Sequence, residues 1–166
     1  MPTSTGIEYG WNYDFTGTYN MAVPQPLSAQ CAGTATPKLN CTGREFPYSV
    51  SSSWMDAART NHSKDAVQYL PNAIASYDPR PWHSNALGFT FPTRTQWEAE
   101  LRTVRAQALR EPGFGFPGPE NVTVKALTIY AWNEYGEGGI VSPTRGESWM
   151  KLEAIKTVFG GERVWK

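Results

Sequence analysis

VKALTIYAWNEYGEGG, residues 124–139, changes character half-way along. From Val124 to Trp132 it is apolar, β-branched and aromatic, which predicts one buried strand. The polar cluster Asn133-Glu134-Tyr135-Gly136-Glu137 follows, and then Gly138 and Gly139. A hydrophobic strand that delivers two carboxylates into a glycine-rich turn is how parallel α/β proteins present chemistry at the carboxyl edge of the sheet. The plain alternative is a strand end followed by solvated acids.

Working outward, the same pattern of strand, loop and helix recurs twice upstream. Gly10 to Ala22 resolves into a short strand in which Phe15, Gly17 and Tyr19 alternate with polar neighbours, ending on Tyr19-Asn20. Residues 23–47 read as a loop insertion rich in Pro, Gly, Thr and Ser. Ser53 with Asp56 carries a helix-start signature, predicting a helix to about Thr60 with Trp54, Ala57 and Ala58 facing inward. A second strand is predicted from Gln68 to Tyr77, stopped by Asp78-Pro79-Arg80-Pro81-Trp82. Thr95 and Glu98 form a capping box for a helix to about Leu109, with Trp97, Leu101, Val104 and Ala108 along one face. FGFPGPEN is a loop. A last helix is predicted from Gly146 to Phe159, with Trp149, Leu152, Ile155 and Phe159 as its core face and Gly160 at its end.

The order βα, βα, βα predicts an α/β fold with parallel strands joined by helical crossovers. All three strands end in polar and aromatic residues, and parallel architecture sets such ends side by side. A closed (β/α)8 barrel needs eight strands and typically some 200–250 residues. The 166 residues here read as one domain, 1–166, with room for about three βα units. Either they form a small open sheet, or they are the last units of a TIM-type barrel, a partial barrel whose earlier strands lie elsewhere.

Composition narrows the function. The 15 basic and 15 acidic residues balance with no basic run, which argues against nucleic acid and anionic membrane as partners. Aromatics reach 13%, enough to line a cleft with rings that stack on sugar faces as well as to fill a core. The N-terminus has no signal-peptide pattern, and strand-like sequence begins almost at once, as if the chain were cut from a longer one. Cys31 and Cys41 bracket a polar loop without a His cluster, so a local disulfide, worth roughly 2–3 kcal/mol, is expected there rather than a metal site. With the sequons at Asn40, Asn61 and Asn121, it points to an extracellular or periplasmic protein. The only histidines, His62 and His83, sit in polar surroundings and indicate neither metal nor catalytic triad. No nucleophile elbow, phosphate loop or dinucleotide fingerprint occurs, and no cofactor is implied.

AWNEYGEGG after a buried strand, with one helix to follow, resembles the last strand of glycoside hydrolase families 71 and 99 and their WbsX-like relatives. Tyr19-Asn20 and Asp78-Pro79-Arg80-Pro81 resemble two further strand ends of those proteins, so the likeness runs from about Gly17 to Gly160. After the motif the family often places more acidic or aromatic residues, where this chain has the mild Ile140-Val141-Ser142-Pro143-Thr144. The resemblance implies a (β/α)8 barrel that hydrolyses α-linked mannosides or glucans, with Glu134 and Glu137 as the catalytic pair. Glycoside cleavage independently asks for two carboxyls, one delivering a proton to the leaving oxygen and one ionised. In family 99 the pair is understood to work with the substrate's own 2-hydroxyl in place of an enzyme nucleophile. That implies Glu137 as general acid/base and Glu134 as the base on the hydroxyl.

Supporting substrate-binding residues are Asn133, Tyr135, Trp132, Trp82, Tyr19, Asn20, Asp78 and Arg80. Structural roles are the alternative for several of them: a turn cap for Asn133, core packing for the tryptophans, a mutual salt bridge for Asp78 and Arg80. The implied partners are an oligo- or polysaccharide and the missing N-terminal part of the same barrel. The competing functions are a non-catalytic carbohydrate-binding barrel and an inactive fragment of a longer protein.

Overall fold

The computed structural model describes residues 8–9, 45–63, 69–82 and 88–161. In chain order, β1 is Glu8–Tyr9, β2 Glu45–Phe46 and helix α1 Tyr48–His62. β3 (Tyr69–Leu70), β4 (Asn72–Ile74), β5 (Gly88–Phe89) and helix α2 (Arg94–Arg110) follow. Then come β6 (Phe116–Pro117), β7 (Thr123–Val124), β8 (Thr128–Tyr130), β9 (Asn133–Glu134), β10 (Gly139–Ile140) and helix α3 (Met150–Phe159). Helices alternating with short parallel strands make this an α/β fold.

β3 pairs in parallel with β1, and β4 in parallel with β8. β3 and β4 are one extended segment interrupted at Pro71, which has no N–H to give to a ladder. The Pro71 carbonyl still accepts from Thr128 N–H at 2.9 Å, and Ala75 N–H donates to the Tyr130 carbonyl at 2.8 Å. The second and third predicted strands are therefore parallel neighbours, as the sequence led us to expect. The first predicted strand, with Tyr19 and Asn20, lies outside the described residues, as do Cys31, Cys41 and His83.

Register decides which face each side chain takes. Ala73 and Ile129 are opposite each other and face the helices, where Ala73, Ala75, Trp97, Leu101, Val104, Ala154 and Val158 form the main core. Asn72 and Ile74 lie opposite Thr128 and Tyr130 on the other face. There Thr128 Oγ1 donates to Asn72 Oδ1 at 3.1 Å.

Several boundaries fall elsewhere than the sequence pattern placed them. The strand expected from Val124 to Trp132 is shorter and only half-buried, because Val124 turns away into an antiparallel pair with β6 and is exposed. FGFPGPEN holds that partner strand and a 3-10 turn instead of plain loop. Glu45–Phe46, placed in the 23–47 loop, is a strand paired in parallel with β5. Helix α1 begins five residues before Ser53, after Pro47; Ser53 is mid-helix and its hydroxyl donates to the Ser49 carbonyl at 2.8 Å. Its buried positions are Tyr48, Ser51, Met55 and Arg59, while Ala57 is exposed and Trp54 packs edge-on to Phe89 in a separate cluster with Phe46.

In α2 the predicted face is the buried one, but the capping box is Thr93 with Gln96. Glu98 is instead paired with Arg94 and Arg102 one turn either side, exposed contacts of small energetic weight. α3 starts at Met150, because residues 144–148 form a turn closed by Ser148 N–H on the Thr144 carbonyl at 2.8 Å. Trp149 and Phe159 are exposed, and the buried positions are Lys151, Ala154 and Val158.

A polar network unforeseen from the sequence locks α1 to α2 and β4. Arg59 is fully buried; its guanidinium donates to Glu100 Oε1 at 2.9 Å, Gln107 Oε1 at 2.6 Å and the Asn72 carbonyl at 2.7 Å. Ser52 donates to the other Glu100 oxygen, and Gln107 donates to Asp56. Tyr48 donates to the Ile74 carbonyl at 2.7 Å, and burial, followed by the Glu100 charge, pushes its phenol up against the opposing pull of Arg59. Breaking a buried pair by removing one charge is far more costly than replacing both. Arg59→Met should therefore lower the unfolding free energy by about 3–5 kcal/mol. Adding Glu100→Met should restore most of that loss. Urea denaturation checks both, and a single variant as stable as wild type contradicts the assignment.

Candidate active site

The two strand ends meet at the carboxyl edge. Past β8 the chain forms a tight antiparallel hairpin, β9 against β10, with Glu134 opposite Gly139 and Asn133 opposite Ile140. A 3-10 turn, Tyr135–Glu137, closes it, and Gly138 takes φ +70°, a left-handed conformation suited to glycine. The hairpin base is anchored by Val141 and Ser142 N–H on the Trp132 carbonyl. In a straight strand residues three apart face opposite sides. One 3-10 turn brings residues i and i+3 onto the same side. Glu137 ends that turn, and Glu134 immediately precedes it in a non-helical conformation (φ −76°, ψ 66°).

β4's continuation meets the hairpin directly, with Asp78 N–H donating to the Glu137 carbonyl at 2.5 Å. Arg80 then folds back on Asp78, donating from Nε at 2.6 Å and from its terminal nitrogen at 2.7 Å, and reaches Glu45 at 2.5 Å. Asp78 and Arg80 are thus paired with each other. Gly88 leaves room for them, since a Cβ there would sit 2.5 Å from Asp78 Oδ1. Beyond them Trp82 lies against the hairpin, its indole occupying the space that a Cβ on Gly136 would need.

Glu137 is half-buried and one of its carboxylate oxygens, Oε2, accepts from the Tyr130 hydroxyl. Burial, then the Glu137 hydrogen bond and charge, then the Glu134 charge push the Tyr130 phenol well above its ordinary value. One phenol thus feels both carboxylates. Glu134 itself is exposed, and among the described residues nothing donates a hydrogen bond to its side chain. Tyr135 hydrogen-bonds Ser142 through their hydroxyls at 2.8 Å, and Asn133 is exposed.

Trp82 at 72%, Tyr135 at 59% and Trp132 at 58% exposure place three large rings in solvent on or beside the hairpin, where core packing was the alternative for the tryptophans. Sequence reasoning missed Tyr130, which it read as one more apolar residue of the strand. The signal was present in the alternation Thr128, Tyr130, which puts both on the face away from the helices. It also missed Lys151, buried under the hairpin, whose ammonium donates to the Ile140 carbonyl at 2.6 Å, pairs with Glu147 at 3.0 Å and lies 5.0 Å from the Phe91 ring centroid. Burial pulls this lysine's pKa down, opposed by Glu147.

Among the described residues no cluster of three or more His, Cys, Asp or Glu is placed to hold a metal ion, and no helix is long and apolar enough to cross a membrane. A separate groove of about 400 Å³ lies between α2 and α3, lined by Leu109, Leu127, Ile129, Ile155 and Phe159 among others, and includes none of the carboxyl-edge residues. Against known proteins, the chain matches no family model, no curated protein and no solved structure.

The Asp78–Arg80 pair has a pH signature. The Arg80 hydrogen bonds hold the Asp78 carboxyl below the ordinary 3.8 despite partial burial. A lowered folded pKa means that the pair's contribution is fully present above the unfolded value and is lost as pH falls through the folded one. Thermal unfolding midpoints of wild type should therefore drop more steeply below about pH 4 than those of Asp78→Asn. Parallel acid limbs in the two proteins would contradict the pairing.

Proposed function

We propose that the chain is the carboxyl-terminal portion of a TIM-type barrel glycoside hydrolase, allied to families 71 and 99, that cleaves α-linked mannosides or glucans with Glu134 and Glu137. The observation that supports this reading is the pair itself: two carboxylates at either end of one short turn, at the carboxyl end of parallel strands and beside exposed aromatic rings. A merely solvated Glu137 would need no half-buried phenol held on its carboxylate. The WNEYGEG motif supports the family assignment through its residues, Trp132 to Gly138.

In this mechanism Glu137 delivers its proton to the glycosidic oxygen as the bond to C1 breaks. Glu134 takes the proton of the sugar 2-hydroxyl as that oxygen closes on C1. Water then adds at C1, the C1–O2 bond opens, Glu137 recovers a proton from the water, and the 2-oxygen regains its own from Glu134. Trp82, Trp132 and Tyr135 offer ring faces to the sugar, and Asn133 a polar contact. Asp78 and Arg80 hold the neighbouring loop in place. The remaining strands of the barrel would complete the cleft, and an extracellular or periplasmic setting fits a polysaccharide substrate.

The exposed rings also favour a second reading, a non-catalytic carbohydrate-binding barrel, because stacking alone requires no acid pair. Glu134→Gln and Glu137→Gln separate the two. Assayed in the complete barrel on α-linked manno-oligosaccharides and α-glucans, each should abolish cleavage while leaving sugar binding within about threefold. Binding without cleavage in the wild type favours the second reading. A variant with near-full activity reduces its residue to a bystander.

A further inference from the structure

Resting on the glycosidase reading, we infer that Tyr130 is a positioning residue for Glu137: its hydroxyl, pinned on Oε2, fixes the rotamer of that carboxyl and leaves Oε1 for the sugar. The two acids differ sharply in restraint. Glu134 is exposed and receives no hydrogen bond among the described residues, whereas Glu137 is held at both ends. Its main chain is fixed by Asp78 N–H on its carbonyl, and its side chain by the Tyr130 hydroxyl.

Tyr130 is itself firmly placed. It lies opposite Ile74 in the β4–β8 ladder, and its carbonyl accepts from Ala75. Its ring rests on the bare Cα of Gly139: a Cβ there would come 2.6 Å from Cε1, 3.0 Å from Cδ1 and 3.3 Å from Cζ. Contacts under about 3 Å force one partner to move, and here the other partner is a rigid ring. Gly139 is therefore what lets the phenol pass under the hairpin to Glu137. The glycine matters through space, not through backbone freedom. The raised phenol keeps its proton at neutral pH, so Tyr130 stays a donor throughout turnover.

A flexible glutamate samples several rotamers, and misplacing a reacting group by about 1 Å costs on the order of 100-fold in rate. Tyr130→Phe removes only the hydroxyl, and Gly139→Ala pushes the ring away while keeping it. In the complete barrel, with an α-linked manno-oligosaccharide and an α-glucan as substrates, both variants should lose kcat by about 100-fold with KM within about threefold. In the 166-residue chain labelled with 13C at the tyrosine Cζ, the signal absent from Tyr130→Phe should shift several times further in Glu137→Gln than in Glu134→Gln, whose charge acts on it only through space. Both glutamate variants leave Tyr130 in place, and where Tyr130→Phe fails to fold the Cζ signal is assigned by through-bond correlation to the Tyr130 backbone instead. Wild-type kcat in Tyr130→Phe beside an inactive Glu137→Gln overturns the inference and leaves the glycosidase reading standing. A Cζ signal indifferent to Glu137→Gln overturns it too. A wild-type barrel that cleaves neither substrate removes the glycosidase reading and this inference with it.

Discussion

Asp78 N–H donates to the Glu137 carbonyl at 2.5 Å, and this one bond joins two strand ends more than fifty residues apart in sequence. It is possible only because β4 and β8 run parallel in the register Asn72–Thr128, Ala73–Ile129, Ile74–Tyr130. A slip of one residue would turn Tyr130 toward the helices and Ile129 toward the carboxylates. The register is in turn specified by burial: Ala73 and Ala75 are small enough to let Trp97 and Leu101 of α2 pack on that face. The site and the core are thus two readouts of one alignment.

The helices brace the same edge from behind. Lys151 of α3 carries a buried ammonium to the Ile140 carbonyl, so the second arm of the hairpin is tied to a helix that is itself packed on α2. Trp97 joins in, its indole N–H donating to the Lys151 carbonyl at 3.3 Å. On the far side the Arg59 network ties α1 to α2 and to the Asn72 carbonyl. Burying these charges is costly in isolation, and each is matched by partners of opposite charge or by carbonyls. The hairpin is thereby braced from behind by side chains of α3 and α2.

Much of this was legible in the sequence, and the failures share a cause. The α2 face Trp97, Leu101, Val104, Ala108 was read correctly because long amphipathic periodicity is a local property. The parallel relation of the two strands ending at Asp78 and Glu134 followed from the intervening helix. Caps were misplaced: Thr95/Glu98 and Ser53/Asp56 have the right residues, but Thr93/Gln96 and the Pro47 boundary won. For α1 the deciding contact is non-local, Tyr48 N–H on the hydroxyl of Thr90 at 2.9 Å. Arg59, Lys151 and Tyr130 were invisible for the same reason, since each acquires its role from a residue on another element or across a turn. Val124 departed from the strand because β6 offered it a different partner.

The glycosidase proposal puts the sugar at the carboxyl end of the strands, where three exposed rings lie on or beside the hairpin, and not in the apolar groove between α2 and α3. The most direct measurement is a titration of the 15N-labelled protein with an α-linked manno-oligosaccharide and with an α-glucan, followed in amide and indole spectra. The account predicts shifts concentrated at residues 132–139 and at the indoles of Trp82 and Trp132. Shifts confined to Leu109, Ile155, Phe159 and their neighbours, or none with either sugar at millimolar concentration, would contradict it.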